Sequence, residues 1–174
     1  LGPDEYLLNK NIVKSDRKEL NEGIKSILKQ KPNRKILGLF RFHLGVYSMA
    51  NKGKQTKFKK WVKKTIGEEP VVLDPLLTVK SHSQVLLYAQ NEGYFNAEVN
   101  DSTEYRKRKK ANVIYTIKTG DSYLIRNIRF NIPDKNIERI VLSDTSLIKI
   151  KRGTRFKSSD FQSERERLTN QLRN

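Results

Sequence analysis

The chain has 174 residues, 36% hydrophobic and 32% charged, with a formal net charge of +17. That length holds one or two small domains, and 7 Phe, 7 Tyr and 1 Trp supply enough apolar bulk for cores despite a charge that would by itself allow disorder. Cysteine is absent and the only histidines are His43 and His82, which excludes disulfides, thiol catalysis, thiolate zinc sites and any His-rich metal cluster.

Tyr6 to Lys14, carrying Leu7, Leu8, Ile12 and Val13, reads as a first strand. Ser15-Asp16 then offers an N-cap, with Asp16 and Glu19 at capping-box spacing. Leu20, Ile24, Ile27 and Leu28 form one apolar helical stripe, weakened at Gly23 and ended by Pro32.

Ile36 to Met49 is apolar nearly all round a helix yet too short to span a bilayer. In the next helix Phe58, Trp61, Val62, Thr65 and Ile66 share a face, and Lys57, Lys59, Lys60, Lys63 and Lys64 fill the rest. Phe58, Lys60, Trp61, Lys63 and Lys64 are candidates for a membrane or partner surface. Alternatively, Trp61 packs on Phe40 and Phe42 within a two-helix insertion.

Leu77 to Glu92 reads as a third helix with Val79, Val85, Leu86 and Ala89 inward and His82 beside them as a satisfied or half-exposed side chain. Gly93 suits the left-handed residue that closes a helix. Tyr94 to Val99 alternates, Asn100 to Lys110 is a polar connection, and Ala111, Val113, Tyr115 and Ile117 alternate again, which reads as a hairpin with an exposed basic tip at Arg106, Lys107, Arg108, Lys109 and Lys110. Residues 6–118 therefore read β-α-(insertion)-α-β-β, an α+β domain.

After a break at Thr119-Gly120-Asp121, Ile128, Phe130 and Ile132 predict a strand that stops at Pro133. Asp134 caps a short helix through Leu142, Gly153 marks a turn, and Ser158-Ser159-Asp160 starts a last helix with Phe161, Leu168 and Leu172 on its apolar side. This β-α-α order repeats the start of the preceding domain. Pairing Asn91 with Asn174 aligns Val85 with Leu168 and Ala89 with Leu172. The expected division is 1–120, containing a basic helical insertion at 31–67, and 121–174. The second domain is expected to be incomplete, with Gly-Tyr/Phe and two strands to follow. The opening Leu1-Gly2-Pro3-Asp4-Glu5 has no signal-peptide pattern, which fits either a cytosolic protein or a start after processing, and a first residue other than Met favours the second.

The charge is uneven. Eleven Lys or Arg and no acid lie from Lys31 to Ile66, and five more basic residues run from Arg106 to Lys110. The remainder is nearly neutral. Such clusters suit nucleic acid, an anionic lipid surface or an acidic partner. No nucleophile–base constellation or glycine-rich phosphate loop is present, so the reading is non-enzymatic, with no cofactor and no metal.

Tandem β-α-α-β-β units resemble POTRA domains of the BamA/TamA outer-membrane assembly superfamily. The resemblance rests on Asn91-Glu92-Gly93-Tyr94-Phe95, on the boundary run from Lys118 to Ile128, and on Lys151-Arg152-Gly153-Thr154-Arg155-Phe156 before Asp160-Phe161 and Glu164 to Leu172. Leu7 to Asn11 and Lys31 to Leu44 are similar to the Bacteroidetes-type TamA-like lipoproteins (TamL). The resemblance implies a periplasmic module, attached to the outer membrane through a C-terminal β-barrel and an upstream lipid anchor. It implies a TamB-like inner-membrane-linked partner and unfolded outer-membrane clients. It also implies strand augmentation along the second strand, here Phe95, Asn96, Ala97, Glu98 and Val99. The alternative is a basic nucleic-acid-binding protein, which the pI of about 10.0 suits and the absence of a known recognition motif disfavours.

Overall fold

The computed structural model describes residues 2–33, 69–143, 145 and 148–173. The expected helices at Ile36–Met49 and around Phe58, Lys60, Trp61, Lys63 and Lys64 lie outside these residues. The chain forms two compact units, Leu1–Gln84 with Val99–Ile117 and Val85–Glu98 with Lys118–Asn174.

The architecture is α+β. Strand β1 (Leu7–Ser15) is followed by a 3-10 turn (Lys18–Leu20) and helix α1 (Asn21–Ile27). Helix α2 (Pro75–Asn91), strand β2 (Glu98–Arg106) and strand β3 (Lys110–Lys118) come next. Helices α3 (Lys135–Ser143) and α4 (Ser158–Arg173) complete the described elements. The sheet order is β1-β3-β2, with β1 and β3 parallel. A register shift between Leu8 and Lys10 leaves Asn9 in a bulge, where its amide donates to Asn112 Oδ1 at 2.7 Å.

In the first unit, Leu8, Leu20, Ile24, Leu28, Ala111, Val113, Tyr115 and Ile117 are buried. Each such Leu or Ile contributes about 1.5–3 kcal/mol by leaving water. The period-2 pattern of β3 and the helical stripe of α1 therefore meet their expectation. The N-cap of the 3-10 turn is Arg17, which makes no side-chain cap bond; its N–H donates to Ser15 Oγ at 3.0 Å where the chain leaves β1.

The inner row of α2 also differs from expectation. Val85 and Ala89 are fully buried, but Val79 is 62% exposed and the row continues through Thr78 and Ser81. Small hydroxyl residues belong there because they have partners. Lys29 N–H donates to Ser81 Oγ at 3.0 Å, and Ser81 Oγ donates to the Leu77 carbonyl at 2.8 Å. The phenol of Tyr115 hydrogen-bonds the side chains of both Ser81 and Thr78; burial nonetheless raises its pKa above 10.0.

The ends of the chain around residues 34–68 are stitched together. Asn33 Nδ2 donates to the Glu69 carbonyl at 2.6 Å, and Val71 N–H donates to Asn33 Oδ1 at 2.9 Å. Gln30 likewise spans to Val72 and Asp74. Both groups of the Asn33 amide are thus used in a buried place, where an unmet donor or acceptor would cost about 1–3 kcal/mol.

In the second unit α2 closes through a Schellman pair, with Tyr94 N–H donating to the Ala89 carbonyl at 3.0 Å and Gly93 N–H to Gln90 at 2.9 Å. Gly93 has φ +90°, and a Cβ there would lie 2.4 Å from the Phe156 carbonyl oxygen. Only glycine meets both demands. Asp134 caps α3 as expected, its Oδ1 accepting from Asn136 and Ile137 N–H at 2.8 and 3.1 Å. The strand expected at Ile128–Ile132 is absent. The extended pairing lies earlier instead, at a Leu124–Arg155 bridge flanked by Ile125 N–H to Thr154 and Phe156 N–H to Tyr123, each 2.8 Å. A period-2 pattern becomes a strand only beside another strand, and among the described residues Ile128–Ile132 has none.

Candidate functional site

The two outer edges of the sheet are unlike each other. Along β1, Leu8 N–H donates to the Val71 carbonyl and Leu73 N–H to the Tyr6 carbonyl, both at 2.8 Å, so the segment 71–73 covers its start. β2 lies at the other edge. Among the described residues no strand pairs with its outer side. An edge of this kind presents backbone N–H and C=O groups to an incoming strand.

β2 is anchored through a few side chains. Val99 is buried near its start. His82 Nδ1 of α2 lies 2.6 Å from Asp101 Oδ1; an ionised carboxylate only accepts, so the imidazole nitrogen donates. Arg106 Nη2 donates to Glu104 Oε2 at 3.1 Å, and hydrogen bonds from Arg106 and then Asn112 lower the Glu104 pKa below 4.5. Tyr105 stacks obliquely on Tyr6 with centroids 4.5 Å apart. Three acids, Glu98, Asp101 and Glu104, and one base, Arg106, lie along the strand; charged side chains on an edge strand limit indiscriminate pairing.

Of the five residues expected at the edge, only Glu98 and Val99 are in the strand. Phe95 and Asn96 are in a turn and Ala97 precedes β2. The alternation that suggested a strand there serves another purpose. Phe95 lies 5.1 Å from Tyr123 and 5.1 Å from Phe156, which is 4.9 Å from Phe161. Beside this aromatic cluster Arg155 sits 5.2 Å over the Tyr94 ring, donates to its hydroxyl at 2.5 Å and lies 3.6 Å from Glu92. Burial, then the Glu92 carboxylate, raises the Tyr88 pKa above 10.0, against the opposing charge of Arg155.

The polar run from Asn100 to Arg106 belongs to the strand rather than to a connection. The hairpin apex is Lys107, Arg108 and Lys109, with Arg106 and Lys110 at the strand ends. Sequence reasoning missed this because charged residues weaken a period-2 signal, although Val99, Asp101, Thr103 and Tyr105 already lie at alternate positions.

Among the described residues, no group of three or more His, Asp or Glu is placed to hold a metal, and no helix is long and apolar enough to cross a membrane. A shallow groove of about 510 Å³ in the second unit is lined by Asp121 to Arg126, Arg152 and Gly153. Its lining carries no imidazole or thiol.

No family model matches the sequence, and no curated protein matches it. Several solved structures are similar in fold. BamA of Haemophilus ducreyi lacking POTRA domains 1–3 matches over 95% of this chain and 24% of its own, at 12% identity and a TM-score of 0.47. POTRA3–5 of Haemophilus influenzae BamA matches over 95% of this chain and 50% of its own, at 13% identity and 0.41. POTRA1–2 of Omp85 from Anabaena matches over 97% and 79%, at 11% and 0.42. The chain thus spans about a quarter of the first structure and half of the second.

Proposed function

We propose that this chain is a periplasmic POTRA region of an outer-membrane assembly or translocation factor, and that it binds partner and client strands along β2. The observation that carries the reading is the sheet order β1-β3-β2: the nine-residue strand Glu98–Arg106 lies at an edge with no strand beside it among the described residues. Main-chain pairing asks little of a client's sequence, which suits a protein that handles many unfolded chains. The β-α-α-β-β order of the first unit and the glycine closure at Gly93 support the same reading. In it the domains are 1–120 and 121–174, the augmentation edge begins at Glu98 and Val99 rather than at Phe95, and the partners are a TamB-like protein and unfolded outer-membrane clients. A TamL-type protein with a lipid anchor is the finer form of the proposal.

The test is amide exchange and chemical-shift mapping of the labelled chain with a peptide copied from an outer-membrane β-strand. Protection is expected along Glu98–Arg106 and not along Leu7–Ser15. Perturbation confined to β1, or none at saturating peptide, would sink the reading.

A further inference from the structure

The apex of the β2–β3 hairpin breaks a local rule. Arg108 has φ 60° and Lys109 φ 48°. Two successive left-handed residues are the signature of a type I′ turn, whose central positions Asn-Gly normally fills because other side chains are strained there. Here both positions carry long basic side chains. Hairpin folding alone would favour the opposite choice, and conflicts of this kind concentrate at functional sites.

The apex is also held firmly. Leu7 N–H donates to the Lys109 carbonyl at 2.8 Å. Lys109 Nζ donates to the carbonyls of Gly2 and Pro3. Arg106 is paired with Glu104. Lys107 and Arg108 remain: both are exposed, and among the described residues neither has an ion-pair or hydrogen-bond partner. Behind them Tyr105 is 61% exposed, with Tyr6 against its ring.

We infer that the Lys107-Arg108 apex with Tyr105 is a docking point for the phosphate-bearing surface of an anionic bilayer. A short projecting tip touches a plane at one end. Free cationic heads seek lipid phosphates, and a tyrosine with an apolar ring and polar hydroxyl suits the headgroup level. A strand of nucleic acid would call for a groove and a row of stacking rings, whereas the apex offers one exposed ring. The choice of lipid over nucleic acid rests on the periplasmic reading above; the charge and strain arguments do not.

Each basic residue at an anionic surface is worth about 1 kcal/mol, or about fivefold in affinity. The probe is co-sedimentation of the full chain with vesicles of phosphatidylcholine, with and without phosphatidylglycerol. Lys107→Gln with Arg108→Asn should weaken binding to the anionic vesicles about 25-fold without lowering the melting temperature, since Asn accepts a left-handed φ. Lys107→Gln alone, outside the strained positions, should weaken it about fivefold, and the charge-preserving Lys107→Arg with Arg108→Lys should leave it unchanged. Unaltered vesicle affinity in the first two variants would overturn the proposal, because it would leave the lysine-rich 34–68 segment as the whole of the attraction. Equal binding to neutral vesicles would overturn it as well. So would a loss seen only with a single-stranded oligonucleotide. No strand client enters this measurement, so its failure leaves the β2 reading intact, and failure of peptide binding at β2 leaves the vesicle result intact.

Discussion

The helices α2 and α4 were aligned by their sequence spacing, and they end in opposite conditions. In α2, Val85 and Ala89 are completely buried. In α4, the aligned Leu168 is half-buried and Leu172 is 47% exposed, and the most buried residue is Glu164. The same offset of 83 residues sets Glu164 against Ser81. Each unit thus places a polar residue at the same point of its second helix. Ser81 has the Lys29 N–H as its partner, while Glu164 has the Arg167 guanidinium, with Nε 3.1 Å from both carboxylate oxygens and Nη2 2.6 Å from Oε1. A helical pattern records which face is apolar but not what covers it. Among the described residues, α3 and α4 have no sheet of their own, and Ile137, Ile140, Leu142 and Phe161 remain exposed.

The largest effect expected separates a buried from an exposed apolar side chain, one taken from each unit. Ile24→Ala opens a cavity at a site with no exposure and should cost about 2–5 kcal/mol. Leu172→Ala should stay within about 0.5 kcal/mol. Urea unfolding of the two variants measures both; equal losses would mean that Leu172 is covered in solution.

The glycines come next. Gly93→Ala meets both a left-handed φ and a backbone oxygen at 2.4 Å, whereas Gly153→Ala meets φ +82° with nothing within 4 Å. Conformation alone costs about 1–2 kcal/mol. The clash should bring the Gly93 variant to about 2–4 kcal/mol. The same unfolding series checks the order, and a Gly153 variant as unstable as the Gly93 one would show that strain, not the close approach, decides.

Smaller still is the polar pair of α4. Arg167→Ala leaves Glu164 buried without its guanidinium and frees Gln171, whose amide bridges to the Ile140 carbonyl at 2.6 Å. A loss of about 1–3 kcal/mol is expected. Adding Glu164→Gln should recover part of it, and a double mutant no better than the single would show the pair uncoupled.

How much of this was legible follows from what each signal measures. The β3 alternation, the α1 stripe, the Asp134 cap and Gly93 were readable because each depends on local geometry. The Ile128–Ile132 strand was misread because a strand needs a neighbour, which no window of sequence contains. Thr78 and Ser81 were missed as inward residues because their partners, Lys29 and Tyr115, are far away in sequence. Phe95 was assigned to the edge for want of Tyr123 and Phe156, which explain its position. Expectations about Phe58, Lys60, Trp61, Lys63 and Lys64 concern residues beyond those described.

The finest contrast between the units is in their tyrosines. Burial raises the Tyr115 pKa in the first unit, and burial together with Glu92 raises that of Tyr88 in the second. The folded chain therefore keeps these protons after the unfolded chain has lost them near pH 10. Below that value both states are protonated and stability does not depend on them. As pH rises from about 10 through the folded value, the folded state holds more protons than the unfolded one, so stability falls with pH. Tyr115→Phe should cost about 1 kcal/mol near neutrality through its lost bonds to Ser81 and Thr78, yet lose less on going from about pH 8 to 11 than the parent. Tyr88→Phe should flatten the same limb as well, since burial and then Glu92 raise its pKa. Unfolding free energies measured across that range decide it: parallel limbs for parent and Tyr115→Phe would show that the phenol is hydrated in solution, and the packing drawn here between α2 and β3 would have to loosen accordingly.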